Sequence, residues 1–500
     1  MHTDAEAQRL HRNPQTLIRG ATRKRIVASL IGLCFVSSIF PNNYLHVIIP
    51  HNRQNKATCR VDNGKGGVMD WKKHCYRVGS HTDSRDDLPT DPKEIDGFVS
   101  SSRKRIEPWL SAIFQAEHLN LVLGSGFTSA IGYLAGSGAT SMTKVKLGSA
   151  YDAAIDAHAE SGAKAMNRGA ANIEDQFRSA FAVLDGLAVI DAKGRGNLKQ
   201  ILDKQLSAFL SSLLKTESGI ASGKDEISRE SAKAALQSFL LSFASRAASR
   251  ERLHIFTTNY DRLVEHGCDL AGLRIIDRFV GALNAVFRAS RVEVDMHYNP
   301  PGIRGEPRFM EGVVRFTKLH GSLDWFFDKG ERRIRRTGIP FGAPSNHTDV
   351  PKEPVDTAMI YPNAAKDIET TQYPYAELFR DFAAAVCRPN AVVVTYGYGF
   401  GDDHVNRVLL DMLTIPSTHL VLIAYDVDDR LKAFCAKTRD AQVSLLVGSH
   451  FADLATLIEN YLPKPALDYI TGRMTELLKH RPMGTKVDDS SSPSTAGTVL

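Results

Sequence analysis

The run Ala391–Thr395 (AVVVT) is apolar up to its last residue, and Leu420–Ala424 (LVLIA) has no polar position at all. Unbroken apolar runs of this length predict strands covered on both faces, as in a parallel sheet. Leu119–Leu123 is similar, interrupted only by Asn120, while Leu253, Ile255 and Phe256 give way abruptly to Thr257. Val313, Val314 and Phe316 mark a further strand, with shorter extended pieces at Arg274–Ile276, Phe279–Gly281 and Met359–Pro362. Between residues 140 and 250 the pattern changes. Ala, Leu, Ser and Lys dominate and proline is absent, which predicts several amphipathic helices with a Ser/Gly-containing loop at 217–225. Ile106, Leu110, Ile113 and Phe114 share one helical face, and further helices are expected over Arg262–Leu270 and from Tyr373 to Phe379. Strands alternating with helices predict an α/β chain with a parallel sheet and a helical module inserted at about 140–250.

The ends read differently. Residues 1–25 are polar and basic, and Ile26–Phe40 is apolar. As a helix that run spans about 22 Å, short of the roughly 30 Å hydrocarbon core of a bilayer. It resembles a signal peptide or an uncleaved anchor, but no small-x-small cleavage site follows and Pro41-Asn42-Asn43 breaks the helix. The reading preferred here is a non-functional extension, or one upstream of a start at Met69. Residues 55–100 read as linker or disorder, and the chain from Arg481 onward as a disordered tail. The expected organisation is a basic extension over 1–104, a nucleotide-binding domain over 105–465, and a C-terminal helix and tail over 466–500.

Composition narrows the class. Hydrophobic residues make up 43% and charged residues 24% of the chain, as in a globular protein. The net charge of +6 is uneven: residues 1–110 hold 18 Lys+Arg against 11 Asp+Glu, and the remainder holds 44 against 45. A neutral body argues against a nucleic-acid-binding core. The six cysteines, Cys34, Cys59, Cys75, Cys268, Cys387 and Cys435, contain no Cys-x-x-Cys pair. They suit a reducing cytoplasm and predict neither a disulfide framework nor a zinc ribbon.

The candidate chemistry sits where apolar runs end. Leu119–Leu123 leads into Gly124-Ser125-Gly126-Phe127-Thr128 and a helix start. Strand, Gly-x-Gly and helix N-terminus form an arrangement that cradles phosphate, although many strand-to-helix turns use glycine. No acidic residue about 20 positions on completes a dehydrogenase fingerprint. The next strand ends Thr257-Thr258-Asn259-Tyr260-Asp261, which reads either as a polar cluster aimed into a crevice or as a turn with local side-chain bonds. A third leads into Lys318-Leu319-His320-Gly321-Ser322-Leu323-Asp324-Trp325, and Ala391–Thr395 into Tyr396-Gly397-Tyr398-Gly399-Phe400-Gly401-Asp402-Asp403-His404-Val405-Asn406. Asn172-Ile173-Glu174-Asp175 reads as a solvated helix start, and the basic run Lys329–Arg336 as a solvated hairpin loop.

Taken together and in this order, Gly-x-Gly, Thr-Thr-Asn-Tyr-Asp, Lys-Leu-His-Gly-Ser-Leu-x-Trp, Ile-Tyr-Pro and Gly-x-Gly-Phe-Gly-Asp-x-His-x-Asn-Arg resemble sirtuin-like NAD-consuming enzymes over roughly residues 105–465. The later elements are most similar to the NAD-hydrolysing subunit that works with a HerA-type ring ATPase in bacterial antiphage defence. The resemblance implies a Rossmann-like parallel sheet, NAD+ as substrate, a homo-oligomer and an ATPase partner. The four-cysteine zinc module of protein-deacetylating sirtuins is missing from the sequence, so no zinc is expected. Asn259 and His320 are the catalytic candidates implied. Gly124, Ser125, Gly126, Phe127, Thr128, Thr258, Asp261, Gly321, Ser322, Gly397, Tyr398, Gly399, Phe400, Asp402 and Asn406 are the nucleotide-binding ones. Asp261 either fixes the nicotinamide amide or caps its own loop. Three activities fit these residues: an NAD glycohydrolase, a deacylase or ADP-ribosyltransferase, and a non-catalytic NAD sensor.

Overall fold

A computed structural model describes residues 70–465 apart from 167–168, 191–192, 291–294, 300–307 and 361–372. All of these belong to one compact unit, Lys65–Leu500. The apolar run Ile26–Phe40, Met69, the Tyr361-Pro362 pair and the C-terminal tail lie outside the described residues.

The main sheet has nine strands. In chain order they are β1 (His74–Val78), β2 (His81–Arg85), β3 (His118–Leu123), β4 (His254–Thr257), β5 (Arg274–Ile276), β6 (Val313–Lys318), β7 (Ala391–Tyr396), β8 (His419–Ala424) and β9 (Val443–Val447). Across the sheet they run β2-β1-β9-β8-β7-β3-β4-β6-β5. Every pairing from β9 to β5 is parallel, and the β1–β2 hairpin is added antiparallel against β9. From β3 the chain order runs outward through β4 on one side, and from β7 through β8 and β9 on the other. The order therefore reverses between β3 and β7. In an open α/β sheet a crevice forms outside the strand ends at such a point.

The apolar runs fill both faces, which is why they show no alternation. Val392, Val394 and Tyr396 of β7 join one core cluster, together with α1 (Pro92–Ile113), α2 (Ser125–Leu134), α6 (Glu226–Ala244) and α7 (Leu263–Ala271). Val393 enters a second cluster, on the opposite face, with α8 (Tyr375–Val386) and α9 (Asp403–Met412). β8 divides the same way, with Val421 and Ile423 in the first cluster and Leu420 and Leu422 in the second. A five-stranded second sheet includes Gly321–Asp328, which continues from β6 after a two-residue turn.

The helical stretch divides in two. α3 (Asp152–Ala165), α4 (Ile173–Val189) and α5 (Gly194–Ser222) enclose a separate cluster built on Phe177, Leu202, Phe209 and Leu213. α6 instead lays Leu236, Phe239, Leu240 and Phe243 into the core on the main sheet. The loop expected at 217–225 is mostly helix, because α5 continues to Ser222 and stops at Gly223, where φ is +65°. Ser222 returns its hydroxyl to Ser218 O at 2.8 Å, so the serines here satisfy helical carbonyls instead of opening a loop.

The linker reading of 55–100 is corrected where it is described. Cys75, Tyr76 and Val78 of β1 are buried, and β1 pairs with β9 at Cys75↔Val447. Its partner β2 (HTDSR) is polar and lies at the edge, so the hairpin shows no apolar period of two. α1 begins at Pro92, capped by Asp91, well before Ile106, because its first turns bury little beyond Phe98 and Ser102. In the basic run, Arg333–Arg336 is a strand with Ile334 fully buried, and only the turn before it is a loop. Among the described residues, no helix is long and apolar enough to cross a membrane.

Candidate functional site

The carboxyl ends of β3, β4, β6 and β7 border a cavity of about 280 Å³. β3 and β7 are joined past their last residues: Gly124 N donates to Tyr396 O at 3.1 Å and Gly126 N to Gly397 O at 3.0 Å. The glycines are needed for this contact. A Cβ on Gly126 would stand 2.7 Å from Gly397 Cα, and one on Gly397, where φ is +63°, 2.5 Å from Phe127 N. Gly126 and Gly397 therefore let two backbones meet at the switch point and do not themselves line the cavity, whereas Gly124, Ser125, Gly399 and Gly401 do.

Asn259 is fixed from β4. Thr257 Oγ1 donates to Leu123 O at 3.0 Å and accepts Asn259 N at 3.1 Å. The Asn259 amide nitrogen then donates to Gly124 O at 2.9 Å and Thr128 Oγ1 at 3.1 Å. Its oxygen makes no hydrogen bond among the described residues. Asp261 caps its own loop and also lines the cavity. Its Oδ1 accepts Leu263 N at 3.1 Å and its Oδ2 accepts the Thr128 hydroxyl at 2.7 Å. Buried Lys318 donates to the carbonyl of Asp261 and lies 3.1 Å from Glu265. From below the loop, Arg262 pairs with Glu217 of α5 at 2.5 Å, and Glu217 also accepts Arg262 N at 2.8 Å. Burial pushes the Glu217 carboxyl up, against the pull of Arg262.

His320 follows β6 and is 3% exposed. Its Nε2 lies 3.1 Å from His404 Nε2 and 4.0 Å from Asp402 Oδ2. Atoms of His320, Asp402 and His404 that could bind a metal all fall within 4.8 Å of one another, a set able to close on a divalent cation. The following Gly321 has φ +88°, which turns the chain into the second sheet. Ser322 is fully buried and donates to Tyr260 O at 3.4 Å.

The sequence-proposed residues thus fall into two groups. Gly124, Ser125, Thr128, Thr258, Asn259, Asp261, His320, Tyr398, Gly399 and Asp402 line the cavity. Gly126, Phe127, Gly321, Ser322, Gly397, Phe400 and Asn406 stand behind it. Phe127 and Phe400 are core residues, and Asn406 braces the last loop by donating to Phe400 O at 2.9 Å and accepting the Tyr398 hydroxyl at 3.0 Å.

Residues outside that set of candidates also line the cavity. Asn172, the N-cap of α4, Glu174 in its first turn, Thr216 of α5 and Arg430 all line the cavity. The solvated reading of 172–175 is corrected, since Glu174 and Asp175 are buried. Asn172 and Asp175 form a capping box, and Glu174 Oε1 accepts the Tyr260 hydroxyl at 2.8 Å. Burial, with the Glu174 charge beside it, holds the Tyr260 phenol well above its usual range. The signal available was an amide and two acids at the start of a helix whose later residues are largely apolar. No family model and no curated protein matches this chain.

Proposed function

We propose that this cavity is the active site of a sirtuin-like NAD+ glycohydrolase on a Rossmann-like sheet, cleaving the nicotinamide–ribose bond to give ADP-ribose, nicotinamide and a proton. The observation that carries the reading is the convergence of Asn259 and His320, from adjacent strands β4 and β6, on one cavity at the strand-order reversal. Nicotinamide is a cationic leaving group on ribose, so its departure leaves an oxocarbenium-like centre and calls for little acid help. The protein must hold the ribose, place a water and accept its proton. The Asn259 oxygen, with the amide nitrogen tied to Gly124 and Thr128, suits orienting that water or a ribose hydroxyl. His320 suits receiving the proton, with His404 in contact to take it onward. Ser125, at the N-terminus of α2, offers the place for the diphosphate.

By the same resemblance, the proposal extends to a homo-oligomer acting with a HerA-type ring ATPase in the cytoplasm, depleting NAD+ during phage infection. The test is chromatographic detection of nicotinamide and ADP-ribose after incubation with NAD+, with and without the ATPase. Bound but uncleaved NAD+ under both conditions supports a sensor. Transfer of ADP-ribose or removal of an acyl group supports a transferase or deacylase. Absence of NAD+ binding overturns the proposal.

A further inference from the structure

The charge on the wall of the carboxyl-end cavity is lopsided. Among the described residues, three acids line it, Glu174, Asp261 and Asp402, against the single arginine Arg430. Arg430 is already matched, since its Nε and Nη2 donate to Asp428 Oδ2 at 3.0 and 2.9 Å. Asp261 uses both oxygens inside the protein, on Leu263 N and the Thr128 hydroxyl. Asp402 Oδ2 stands 4.0 Å from His320 Nε2.

Glu174 differs from both. It is 7% exposed, and the capping box of Asn172 and Asp175 fixes the turn that carries it. Its Oε1 accepts the Tyr260 hydroxyl at 2.8 Å, and it has no other hydrogen bond and no ion pair among the described residues. Its Oε2 has no donor, yet the surrounding protein does not seal it off, so it opens into the cavity that the residue lines. A buried carboxylate without a cation is costly, and a positive group entering the cavity offsets that cost. The charges of Glu174 and Asp402 both reach the Tyr260 hydroxyl, and the Tyr260 and His320 rings stand 6.3 Å apart. Glu174 therefore belongs to the His320 side of the cavity. NAD+ is cationic at its nicotinamide ring and anionic at its diphosphate. An unpaired carboxylate attracts the first and repels the second, which decides the way round the dinucleotide lies.

We infer that Glu174, through Oε2, recognises the positive charge of the nicotinamide–ribose end and so discriminates against the reduced, uncharged dinucleotide. The inference rests on the proposed binding of NAD+ in this cavity. The probes are the carbocyclic analogue of NAD+, in which a methylene replaces the ribose ring oxygen and prevents cleavage, and its dihydro form, which lacks the ring charge. Both are titrated calorimetrically into the full chain. Wild type should bind the cationic analogue about tenfold or more tighter than the dihydro form. Glu174→Gln keeps an acceptor for Tyr260 and removes the charge, and should bring the two affinities to within about threefold. ADP-ribose, which lacks nicotinamide, should bind wild type and variant alike. The positive charge moves onto the ribose as nicotinamide leaves, so kcat/KM for nicotinamide release should also fall about tenfold or more in Glu174→Gln. No preference in wild type, a preference unchanged in Glu174→Gln, or an equal loss of ADP-ribose affinity in that variant would overturn the inference. If wild type releases no nicotinamide from NAD+ while Glu174→Gln abolishes the preference, charge recognition stands and hydrolysis falls. If NAD+ is cleaved and the preference is unchanged in the variant, hydrolysis stands and only this inference falls.

Discussion

His320 Nε2 and His404 Nε2 lie 3.1 Å apart inside the protein, with Asp402 4.0 Å from the first of them. One ring must donate and the other accept at that distance, so the contact carries one proton. Protonating both rings would set two cations side by side. Replacing His404 by Asn removes the ring that shares this proton. NAD+ turnover should then fall, with NAD+ affinity little changed. Turnover equal to wild type would remove His404 from proton handling. The same three residues could close on a cation, so EDTA is informative: turnover should be unaffected, and a loss restored by a divalent metal would reassign the cluster as a metal centre.

The Tyr260–Glu174 bond joins the β4 loop to α4 across the cavity wall. Tyr260→Phe leaves a buried carboxylate without that donor, at a cost of about 1–3 kcal/mol in stability. Glu174→Gln keeps an acceptor and should cost less. Urea unfolding of both variants checks the order. Equal losses would show that packing of the ring, not the hydrogen bond, holds the two elements together.

Much of this architecture is readable from the residues themselves. Ala391–Thr395 and Leu420–Ala424 announce buried parallel strands because both faces are covered, and the polar switch after Phe256 marks where a strand opens onto the cavity. What is hidden depends on partners distant in sequence. β1 is a strand because Cys75 pairs with Val447, some 370 residues away, and nothing local to HCYRV requires it. Glu174 looks like an ordinary first-turn acid until α4 is packed against the β4 loop. Gly126 and Gly397 each resemble phosphate-cradle glycines, yet their proximity to each other is a property of the sheet order, not of either motif.

The β1–β2 hairpin makes truncation a graded experiment. A chain beginning at Met69 retains β1 and α1 and should keep wild-type stability and NAD+ turnover. A chain beginning at Ile106 loses buried Cys75, Tyr76, Val78 and Phe98. It exposes the edge of β9 and should lose several kcal/mol, since each fully buried large side chain contributes roughly 1.5–3 kcal/mol. Thermal denaturation of both chains checks this. Equal melting temperatures would mean that the hairpin adds nothing to the core.

Acid stability should reflect histidines buried in neutral form. Burial pulls His419 down to about 4, with Arg77 adding to the effect, and lowers His254 well below its ordinary 6.5. Between the unfolded value of 6.5 and the folded value, only the unfolded chain takes up these protons. Their contribution is present above pH 6.5 and is lost as pH falls toward 4, at a slope of up to about 1.4 kcal/mol per pH unit for each histidine. His419→Asn removes one of these titrations, although the His419 Nε2 contact to Ser444 Oγ at 2.9 Å would need to be re-formed by the amide. The variant should show a shallower decline between pH 6.5 and 4 than wild type. An unchanged slope would show that His419 is accessible to protons in the folded chain.

Asn259 and His320 supply the strictest test of the proposed chemistry, because they are held by different means. Asn259 is fastened through its amide nitrogen to Gly124 O and Thr128 Oγ1. His320 contacts His404 and Asp402 on the other side of the cavity. Asn259→Ala should remove the proposed water-orienting oxygen, and it also releases a tie between the β3 and β4 loops, so a modest fall in stability is expected with it. Asn259→Asp keeps the oxygen but loses the donor to Gly124 O and Thr128 Oγ1, and should retain more structure than turnover. His320→Ala should leave that network untouched and remove only the proton acceptor. General-base assistance is worth about 10²–10⁴-fold, so each single variant should bind NAD+ and release nicotinamide slower by a factor in that range. If the two residues act on the same water in one step, the double variant should be little slower than the worse single one. Multiplicative losses would place them in separate steps. Full cleavage by His320→Ala would leave hydrolysis in place and move the proton-accepting role to another group.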